Sequence, residues 1–389
     1  MKVKIAIVGG GLSGGLAALA LKNEGMNSFV LIESASSFGG DHTWSFMDSD
    51  IPDSIASWMK PLVSFHWNSH QVNFPKFQRD LDLGYNTLRS KSLHKALLRS
   101  LDNNQFRLGK TPEIHKNQLR LDEEIIDFDI LIDARGTGPN SLGPCGYQNF
   151  LGQDIHFDRP HGLKQPILMD ATVEQKDGYR FIYTLPLDDH TLLIEDTRYS
   201  HSSFMDLNDY RDSIKCYAKK FGSTFKMERE EKAGLALPLT EQMFQHPGEF
   251  NHHITIGLKG GLFQPISGYS IPQAMLFAQL LSKSAHLKST SLIDTLQHYK
   301  NSFKKQCRFF WTLNRMLFGA ALPKERYIVF QHFYGLPIDT IMRFYRGELL
   351  TKDKVRILTG KPPVSIASAI KSLTTSHWMR PTKSQDMTL

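Results

Sequence analysis

The sequence predicts an α/β fold in which a Rossmann-type dinucleotide-binding domain is interleaved with an antiparallel-sheet substrate domain and followed by a helical C-terminal part. Three observations carry this prediction. They are a glycine-rich turn between a strand and a helix near residue 10, a hairpin pattern around residue 188, and long helical patterns after residue 271. At 389 residues the chain is long enough for two or three lobes.

A Gly-x-Gly-x-x-Gly turn lies close to the first residue. Residues 3–8 predict a buried strand, and residues 12–22 predict the helix that follows. Gly9 permits the tight turn, Gly11 lets backbone N–H groups approach a pyrophosphate, and Gly14 lets the helix pack on the strand. Because a helix N-terminus carries partial positive charge, we expect the pyrophosphate there. An ordinary glycine-rich loop is the alternative.

Two further strands belong to the same predicted sheet. Residues 28–33 form one of them, and Glu33 at its end is positioned to accept hydrogen bonds from ribose hydroxyls. Residues 129–136 predict a buried strand that ends in a glycine turn and returns to this sheet. Arg135 in that turn either neutralises a phosphate or pairs locally. No second strand–Gly-x-Gly-x-x-Gly unit follows, so the sequence favours FAD over NAD as the dinucleotide.

The middle of the chain has a different pattern. Residues 180–187 and 191–197 predict two strands that flank a turn at residues 188–190, which indicates an antiparallel sheet over a substrate cavity. Residues 252–257 predict another strand, and residues 271–284 predict a long apolar helix. We therefore divide the chain into a first part of the FAD-binding domain (1–150), an antiparallel substrate-binding region (151–250), a return to the FAD-binding domain (251–297) and a helical C-terminal region (298–389).

The composition predicts a globular protein with a basic surface. Hydrophobic residues make up 41% of the chain and charged residues 22%, and the formal net charge is +7. The positive charge concentrates in residues 300–330 and 351–389, which suits an anionic membrane surface; no nucleic-acid motif accompanies it, so we expect no nucleic-acid partner. Three widely spaced cysteines predict a reduced, intracellular setting and no metal site. No apolar run approaches the length of a transmembrane helix.

Six further stretches carry a resemblance to a known family. In chain order they are residues 39–46 (GGDHTWSF), 184–190 (TLPLDDH), 193–199 (LIEDTRY), 261–270 (GLFQPISGYS), 333–337 (FYGLP) and 360–363 (GKPP). With the glycine turn they extend over nearly the whole chain. In these motifs the chain closely resembles the bacterial lycopene β-cyclases of carotenoid biosynthesis.

The resemblance implies a non-covalent FAD enzyme that is active with reduced flavin and takes electrons from NADPH. It implies an intramolecular lyase, or isomerase, that converts lycopene to β-carotene through γ-carotene by acid-initiated cyclisation of ψ end groups, with no net redox change. One alternative is a flavin-dependent prenyl-lipid reductase or hydroxylase. Residues 133–136 and 257–258 depart from the hydroxylase pattern, which argues against oxygen-activating chemistry. The other alternative is a non-enzymatic prenyl-lipid escort protein.

Glu195 and Asp196 are the candidate catalytic residues. Protonating an unactivated alkene needs a carboxylic acid that stays protonated in an apolar pocket. Glu195 follows an apolar run, and the resemblance gives the first acid of its motif the essential role, with Asp196 as its partner or as the base. Strand periodicity points the two side chains to opposite faces unless the strand ends or bulges. The alternative is an acidic pair that faces water.

Two further sets of residues are candidates for the site. Gly261, Pro265 and Gly268 lie in a loop before the predicted helix at 271, where backbone N–H groups and the helix dipole would meet the flavin, or where the loop only caps the helix. Aromatic faces stabilise a cation, so Trp44, Phe263 and Tyr269 are substrate-binding candidates, with core packing as the alternative. Bound flavin would act as a fixed negative charge or as a proton carrier, and the sequence does not choose between these roles.

Lycopene is a membrane hydrocarbon, so the resemblance implies a cytoplasmic protein held peripherally on the inner membrane face. Residues 304–318 mix cations with large apolar side chains, as either an interfacial helix or an amphipathic core helix would. The sequence leaves open the oligomeric state, whether one or both ends of lycopene are cyclised, and whether other carotenoid enzymes are partners that hand over substrate.

Overall fold

A computed structural model of the chain describes residues 1–136, 143–241, 252–359 and 366–374. Its strands are β1 (Lys2–Val8), β2 (Phe29–Glu33), β3 (Thr43–Met47), β4 (Phe65–Trp67), β5 (His70–Phe74), β6 (Phe77–Leu81), β7 (Tyr85–Arg89), β8 (Phe106–Leu108), β9 (Glu113–His115), β10 (Gln118–Leu121), β11 (Glu124–Asp133), β12 (Cys145–Phe157), β13 (Ile167–Asp170), β14 (Tyr179–Pro186), β15 (Thr191–Ser200), β16 (Phe225–Pro238) and β17 (His253–Thr255). Its helices are α1 (Leu12–Asn23), α2 (Ala56–Met59), α3 (Ser90–Ser100), α4 (Leu207–Ala218), α5 (Ile271–Ser284), α6 (Ser289–Gly319), α7 (Arg326–Tyr334), α8 (Ile338–Arg346), α9 (Thr351–Leu358) and α10 (Ile366–Thr374).

The first sheet has the strand order β8-β2-β1-β11-β10-β9, and β17 pairs with β11. The strands β8, β2, β1, β11 and β17 run parallel, as the sequence predicts for a nucleotide-binding sheet. One face is covered by α1, α3 and α5 through a core of aliphatic side chains. The other face packs against the antiparallel hairpin of β9 and β10. Because both faces of the central strands are covered, β1 and β2 are apolar without alternation.

The second sheet has the order β16-β12-β15-β14-β13-β5-β6. The predicted hairpin is present as β14 and β15, and the Asp188 carboxylate accepts hydrogen bonds in its turn from the backbone N–H groups of His190 (2.8 Å) and Thr191 (2.7 Å). The helix α4 covers one face of this sheet. The sheet also includes β5 and β6, which precede residue 151, so it draws on both sides of that predicted boundary. A small third sheet has the order β3-β7-β4.

The C-terminal helices cover the second sheet on the face opposite α4. Side chains from α6, α7 and α8 form an aromatic-rich core with β14 and β15. Phe310, Trp311 and Leu317 of α6 are buried, and Lys304 lies 2.7 Å from Glu241, which favours a core helix with a basic outer side. Within the described ranges, none of the helices combines the length and the apolar character needed to cross a bilayer.

Candidate functional site

A cavity of about 590 Å³ lies where the first sheet, the second sheet and the segment before α5 meet. The glycine turn borders it on one side, and Glu195 and Glu231 of the second sheet border it on another. This arrangement brings a dinucleotide-binding motif and two carboxyl groups to one space. Its volume is in the range of small-molecule and cofactor pockets.

The glycine turn has the geometry that a dinucleotide requires. Gly9 has a φ of +105°, and a Cβ on it would lie 2.7 Å from the carbonyl group of Ala134. A Cβ on Gly14 would lie 1.9 Å from the carbonyl oxygen of Gly9, so strand and helix touch here. A Cβ on Gly11 would meet no atom within 4 Å, because Gly11 faces the cavity. Gly11 is also the N-cap of α1 and has no side chain to satisfy the helix N–H groups, so the positive end of α1 is open to an anionic ligand.

Glu33 and Arg135 both border the cavity and both have protein partners. Glu33 accepts hydrogen bonds from the backbone N–H groups of Gly10 (2.6 Å) and Ala35 (2.8 Å), which hold its carboxylate beside the turn. Arg135 pairs with buried Asp133 at 2.8 Å, the local pairing that the sequence left as one alternative. Burial raises the pKa of Asp133, but hydrogen bonds from Arg135 and Lys259 outweigh it and lower that pKa to about 2.

Glu195 faces the cavity from β15. Its side chain is half-buried: one part is covered by protein, and the other part borders the open space of the cavity. Side chains alternate along β15, so Leu193, Glu195 and Tyr199 share the inner face. Thr197 donates a hydrogen bond from Oγ1 to Oε1 of Glu195 at 2.6 Å. Burial, reinforced by the nearby charge of Glu231, raises the pKa of Glu195 to about 8, although the Thr197 hydrogen bond opposes the rise. Glu195 is therefore mainly a carboxylic acid at neutral pH.

Asp196 lies on the other face of β15, beneath α4. It is fully buried, and its carboxylate pairs with Arg180 (3.0 Å) and Arg198 (3.0 Å). The strand does not bulge at this point, since Glu195 and Asp196 keep successive partners on both neighbouring strands. The structure therefore does not bring Asp196 to Glu195 or to the cavity, and this geometry does not support its predicted role as catalytic partner or base.

Glu231 is the second carboxyl group of the cavity, and the sequence analysis missed it. Gly152 of β12 pairs with Glu195 on one side and with Glu231 of β16 on the other, so both acids point to the same face with a glycine between them. Glu231 lies 2.9 Å from the Arg229 guanidinium and 3.2 Å from His42 Nδ1. The alternation of β16 alone could have flagged Glu231 as an inward residue, but only strand pairing places it beside Glu195.

Hydroxyl groups form a chain on the same wall. Tyr183 donates to Ser45 Oγ at 2.7 Å, and the Tyr85 and Tyr183 hydroxyls are 3.1 Å apart. Burial raises the pKa of Tyr183 well above its usual range, so the phenol stays neutral. These groups form a polar strip in a cavity whose remaining wall here is aromatic and aliphatic. Sequence reasoning missed them because β3, β7 and β14 are far apart in the chain.

Only part of the segment before α5 borders the cavity. Gly268, with φ +69°, borders it together with Tyr269. Gly261 and Pro265 do not border it, and Gln264 Oε1 accepts hydrogen bonds from the N–H groups of Ile266 and Ser267, so those donors face inward rather than toward a ligand.

Two of the three aromatic candidates border the cavity, and the third does not. Trp44 and Tyr269 border the cavity, and Tyr269 donates a hydrogen bond to Asp50 at 2.7 Å. Phe263 is buried in the protein and does not border the cavity, in line with the core-packing alternative. The motif at residues 360–363 lies outside the described residues.

Solved structures with a similar fold include a reductase-like protein and a flavin-dependent brominase. A geranylgeranyl bacteriochlorophyll reductase-like protein from Thermoplasma acidophilum matches with a TM-score of 0.60 at 13% identity, covering 96% of this chain and 98% of that one. A flavin-dependent brominase matches with a TM-score of 0.59 at 12% identity, covering 89% and 94%. At these identities the likeness shows the fold alone, and it confirms the predicted α/β class with a Rossmann-type domain.

Sequence comparison gives closer relatives. The lycopene β-cyclase of Pantoea ananas is 39% identical over 378 residues, which cover 96% of this chain and 98% of the relative. That of Pseudescherichia vulneris is 40% identical over 368 residues, covering 94% and 95%. The family model described as "Lycopene cyclase protein" matches residues 4–371. Since both the model and the relatives span nearly the whole chain, this protein belongs to the lycopene cyclase family.

Proposed function

We propose that this protein is a lycopene β-cyclase, an isomerase that closes the ψ end groups of lycopene to give β-carotene through γ-carotene. The observation that carries the proposal is Glu195, a carboxyl group with a pKa raised to about 8 that faces the same cavity as the dinucleotide turn. Family membership supports the choice of substrate, because the relatives that match along the whole chain are named lycopene β-cyclases.

The reaction starts with Glu195 as general acid. Its carboxyl proton adds to the terminal alkene of a ψ end group, which leaves a tertiary cation and the Glu195 carboxylate. The neighbouring alkene attacks the cation and closes the ring, and a proton then leaves the ring carbon. Trp44 and Tyr269 border the space in which the cation forms, so their ring faces would stabilise it. Atoms and electrons balance within the substrate, and the product is an isomer.

Glu231 is the proposed base for the departing ring proton. Its ion pair with Arg229 supports a negatively charged carboxylate, and its place across Gly152 from Glu195 sets it on the same side of the substrate cavity. When two carboxyl groups share one cavity, a raised pKa on one and an ion pair on the other separate the general acid from the general base. Solvent exchange between turnovers would return the proton to Glu195.

FAD is the proposed cofactor. Gly9, Gly11 and Gly14 with the uncapped start of α1 would hold its pyrophosphate, Glu33 would lie near the ribose, and Gly268 would lie near the flavin. The open space at Gly11 supports this fit. When bound, reduced FAD would supply negative charge that stabilises a cation, or a proton. NADPH is the proposed reductant, on the resemblance alone.

We also propose that the protein is located in the cytoplasm, bound peripherally to the inner face of the membrane. The helices α9 and α10 carry exposed apolar side chains next to basic residues, as a bilayer-contacting surface needs. The apolar members are Val355, Leu358, Ile370 and Leu373, and the basic ones are Lys352, Lys354, Arg356 and Lys371. Reversing Lys352, Lys354 and Arg356 to Glu should lower sedimentation with anionic vesicles at low salt. The comparison is a variant in which Lys304, Lys305 and Arg308 of α6 are replaced with Glu. If both triple variants lower sedimentation equally, the result would argue against α9 and α10 as the membrane-contacting surface.

The deciding experiment is turnover of lycopene in vesicles with the flavin-loaded protein, FAD and NADPH under anaerobic conditions, with pigments separated by chromatography. We expect γ-carotene and then β-carotene, with no oxygen consumed and no change in mass. A product heavier by added hydrogen would support a reductase instead. Turnover that begins only when air is admitted, with a product heavier by oxygen, would support a hydroxylase. A colourless protein that binds prenyl lipid without converting it would support an escort function.

A further inference from the structure

A second cavity of about 270 Å³ lies among the C-terminal helices. It is lined by side chains from α6 to α10 and by the segment before α5, and most of them are apolar. The apolar members include Leu313, Val329, Phe333, Phe344 and Ile370, and the polar ones are Ser267, His332, Tyr345 and Thr359. No charged side chain borders it within the described ranges, so its walls suit a hydrocarbon and not a cofactor phosphate.

The second cavity adjoins the first one. Ser267 and Tyr345 border both spaces, so only these side chains and their neighbours separate the apolar cavity from the one that holds Glu195. Tyr345 is held in place by a hydrogen bond between its hydroxyl and that of Tyr334 (2.6 Å) and by an edge contact with the ring of Tyr269. A long flexible ligand with its end at Glu195 would meet the second cavity at this junction.

The outer end of the second cavity reaches the protein surface. Leu358 of α9 and Ile370 and Leu373 of α10 border the cavity and are also exposed to solvent. Exposed leucine and isoleucine at the mouth of an apolar cavity are unfavourable in water but not beside lipid. The mouth therefore lies on the surface that we propose to contact the bilayer.

We propose that this cavity binds the half of the linear polyene that is not reacting, so that the substrate extends from the bilayer past Tyr345 to Glu195. The inference rests on the proposed function, because it takes the ligand to be a hydrocarbon with a reactive group at each end. The first cavity, of about 590 Å³, must also accommodate the dinucleotide, which leaves little of it for the distal half of such a chain. The second cavity provides adjoining apolar space.

A consequence follows for the second ring closure. When one end has cyclised and the molecule re-enters with its open end first, the new ring occupies the second cavity. A ring is wider than an open chain, so partial filling of this cavity impairs the second closure more than the first one. The ratio of γ-carotene to β-carotene therefore reports on the cavity directly.

The binding test uses tritiated squalane, a branched saturated hydrocarbon that cannot be protonated, so capture is independent of turnover. Flavin-loaded protein is incubated with squalane-containing vesicles, re-isolated and counted. Val329→Trp on α7 and Leu313→Trp on α6 place an indole in the cavity from two directions. Leu322→Trp is the matched control, because Leu322 is exposed and does not border the cavity. We expect at least fivefold less captured squalane in both cavity variants than in the control, at equal flavin content.

The turnover test uses the smaller change Val329→Phe. We expect the γ-carotene to β-carotene ratio to rise at least threefold while the first cyclisation changes less than twofold. Equal squalane capture in all three tryptophan variants overturns the inference. So does reduced capture with an unchanged product ratio, which indicates a site for lipid acyl chains. If capture falls as expected but no carotenoid is cyclised by the wild-type protein, the proposed function fails while the hydrocarbon site stands.

Discussion

Replacing Glu195 with glutamine removes the proton that starts the proposed reaction and keeps the shape of the side chain. The raised pKa of about 8 means that about 90% of the molecules carry the acid form at pH 7, against about 0.3% for a glutamate at 4.5. The cavity thus increases the acid population roughly 300-fold. An amide cannot donate this proton, so we expect E195Q to form no detectable β-carotene while it retains FAD.

The wild-type pH profile follows from the same group. The rate of cyclisation should be nearly constant from about pH 6 to pH 7, and above pH 8 it should approach a tenfold loss per unit as Glu195 ionises. Initial rates in anaerobic vesicle assays with reduced flavin measure this. Glu230→Gln is the matched control, because Glu230 pairs with Arg211 outside the cavity. Retention of a tenth or more of wild-type turnover in E195Q, or a wild-type rate that rises from pH 7 to pH 9, would refute the assignment.

Stability provides a readout that does not depend on turnover. Between pH 4.5 and pH 8 the folded protein holds a proton on Glu195 that the unfolded chain has released, so the free energy of unfolding falls as the pH rises. The slope is about 1.4 kcal/mol per unit and the total loss about 5 kcal/mol. Urea unfolding of E195Q should lack this component and show a stability gain over wild type at pH 9. Parallel pH dependence in the two proteins would show that folding does not raise the pKa of the Glu195 carboxyl group.

Three further changes test other parts of the site. In Gly11→Val the added Cβ meets no protein atom within 4 Å, so the change should cost only about 1 kcal/mol of stability, yet it should yield protein without flavin; a full yellow complement would contradict the dinucleotide placement. Asp196→Asn removes the carboxylate that pairs with buried Arg180, whereas Arg198 keeps Asp177 and Asp209, and it should destabilise the fold by about 3 kcal/mol in urea unfolding; a loss below about 1 kcal/mol would show that the Arg180 pair is dispensable. Glu231→Gln should slow cyclisation about 100-fold and shift the high-pH decline to lower pH, because a charge that raises the pKa of Glu195 is gone; an unaltered rate and profile would exclude Glu231 as the base.

Local patterns were sufficient for much of the fold. The strand, turn and helix around Gly9, the hairpin at Asp188 and the helix from Ile271 to Ser284 all occur where the sequence predicts them. Each is specified by residues close together in the chain: a glycine with positive φ, a turn carboxylate, or an unbroken apolar helix. Period-two alternation also assigned Glu195 and Asp196 to opposite faces, and the structure confirms that separation.

What the sequence by itself determined was therefore local: the element types, the dinucleotide turn and the family membership carried by the motifs. Tertiary structure alone decided which face of β15 borders the cavity, because that depends on α4 covering one side and the aromatic helices covering the other. It also decided that Glu231 lies across Gly152 from Glu195 and that a second, apolar cavity adjoins the first. These relations join residues tens to hundreds of positions apart, and burial and charge act through space, so no local pattern records them.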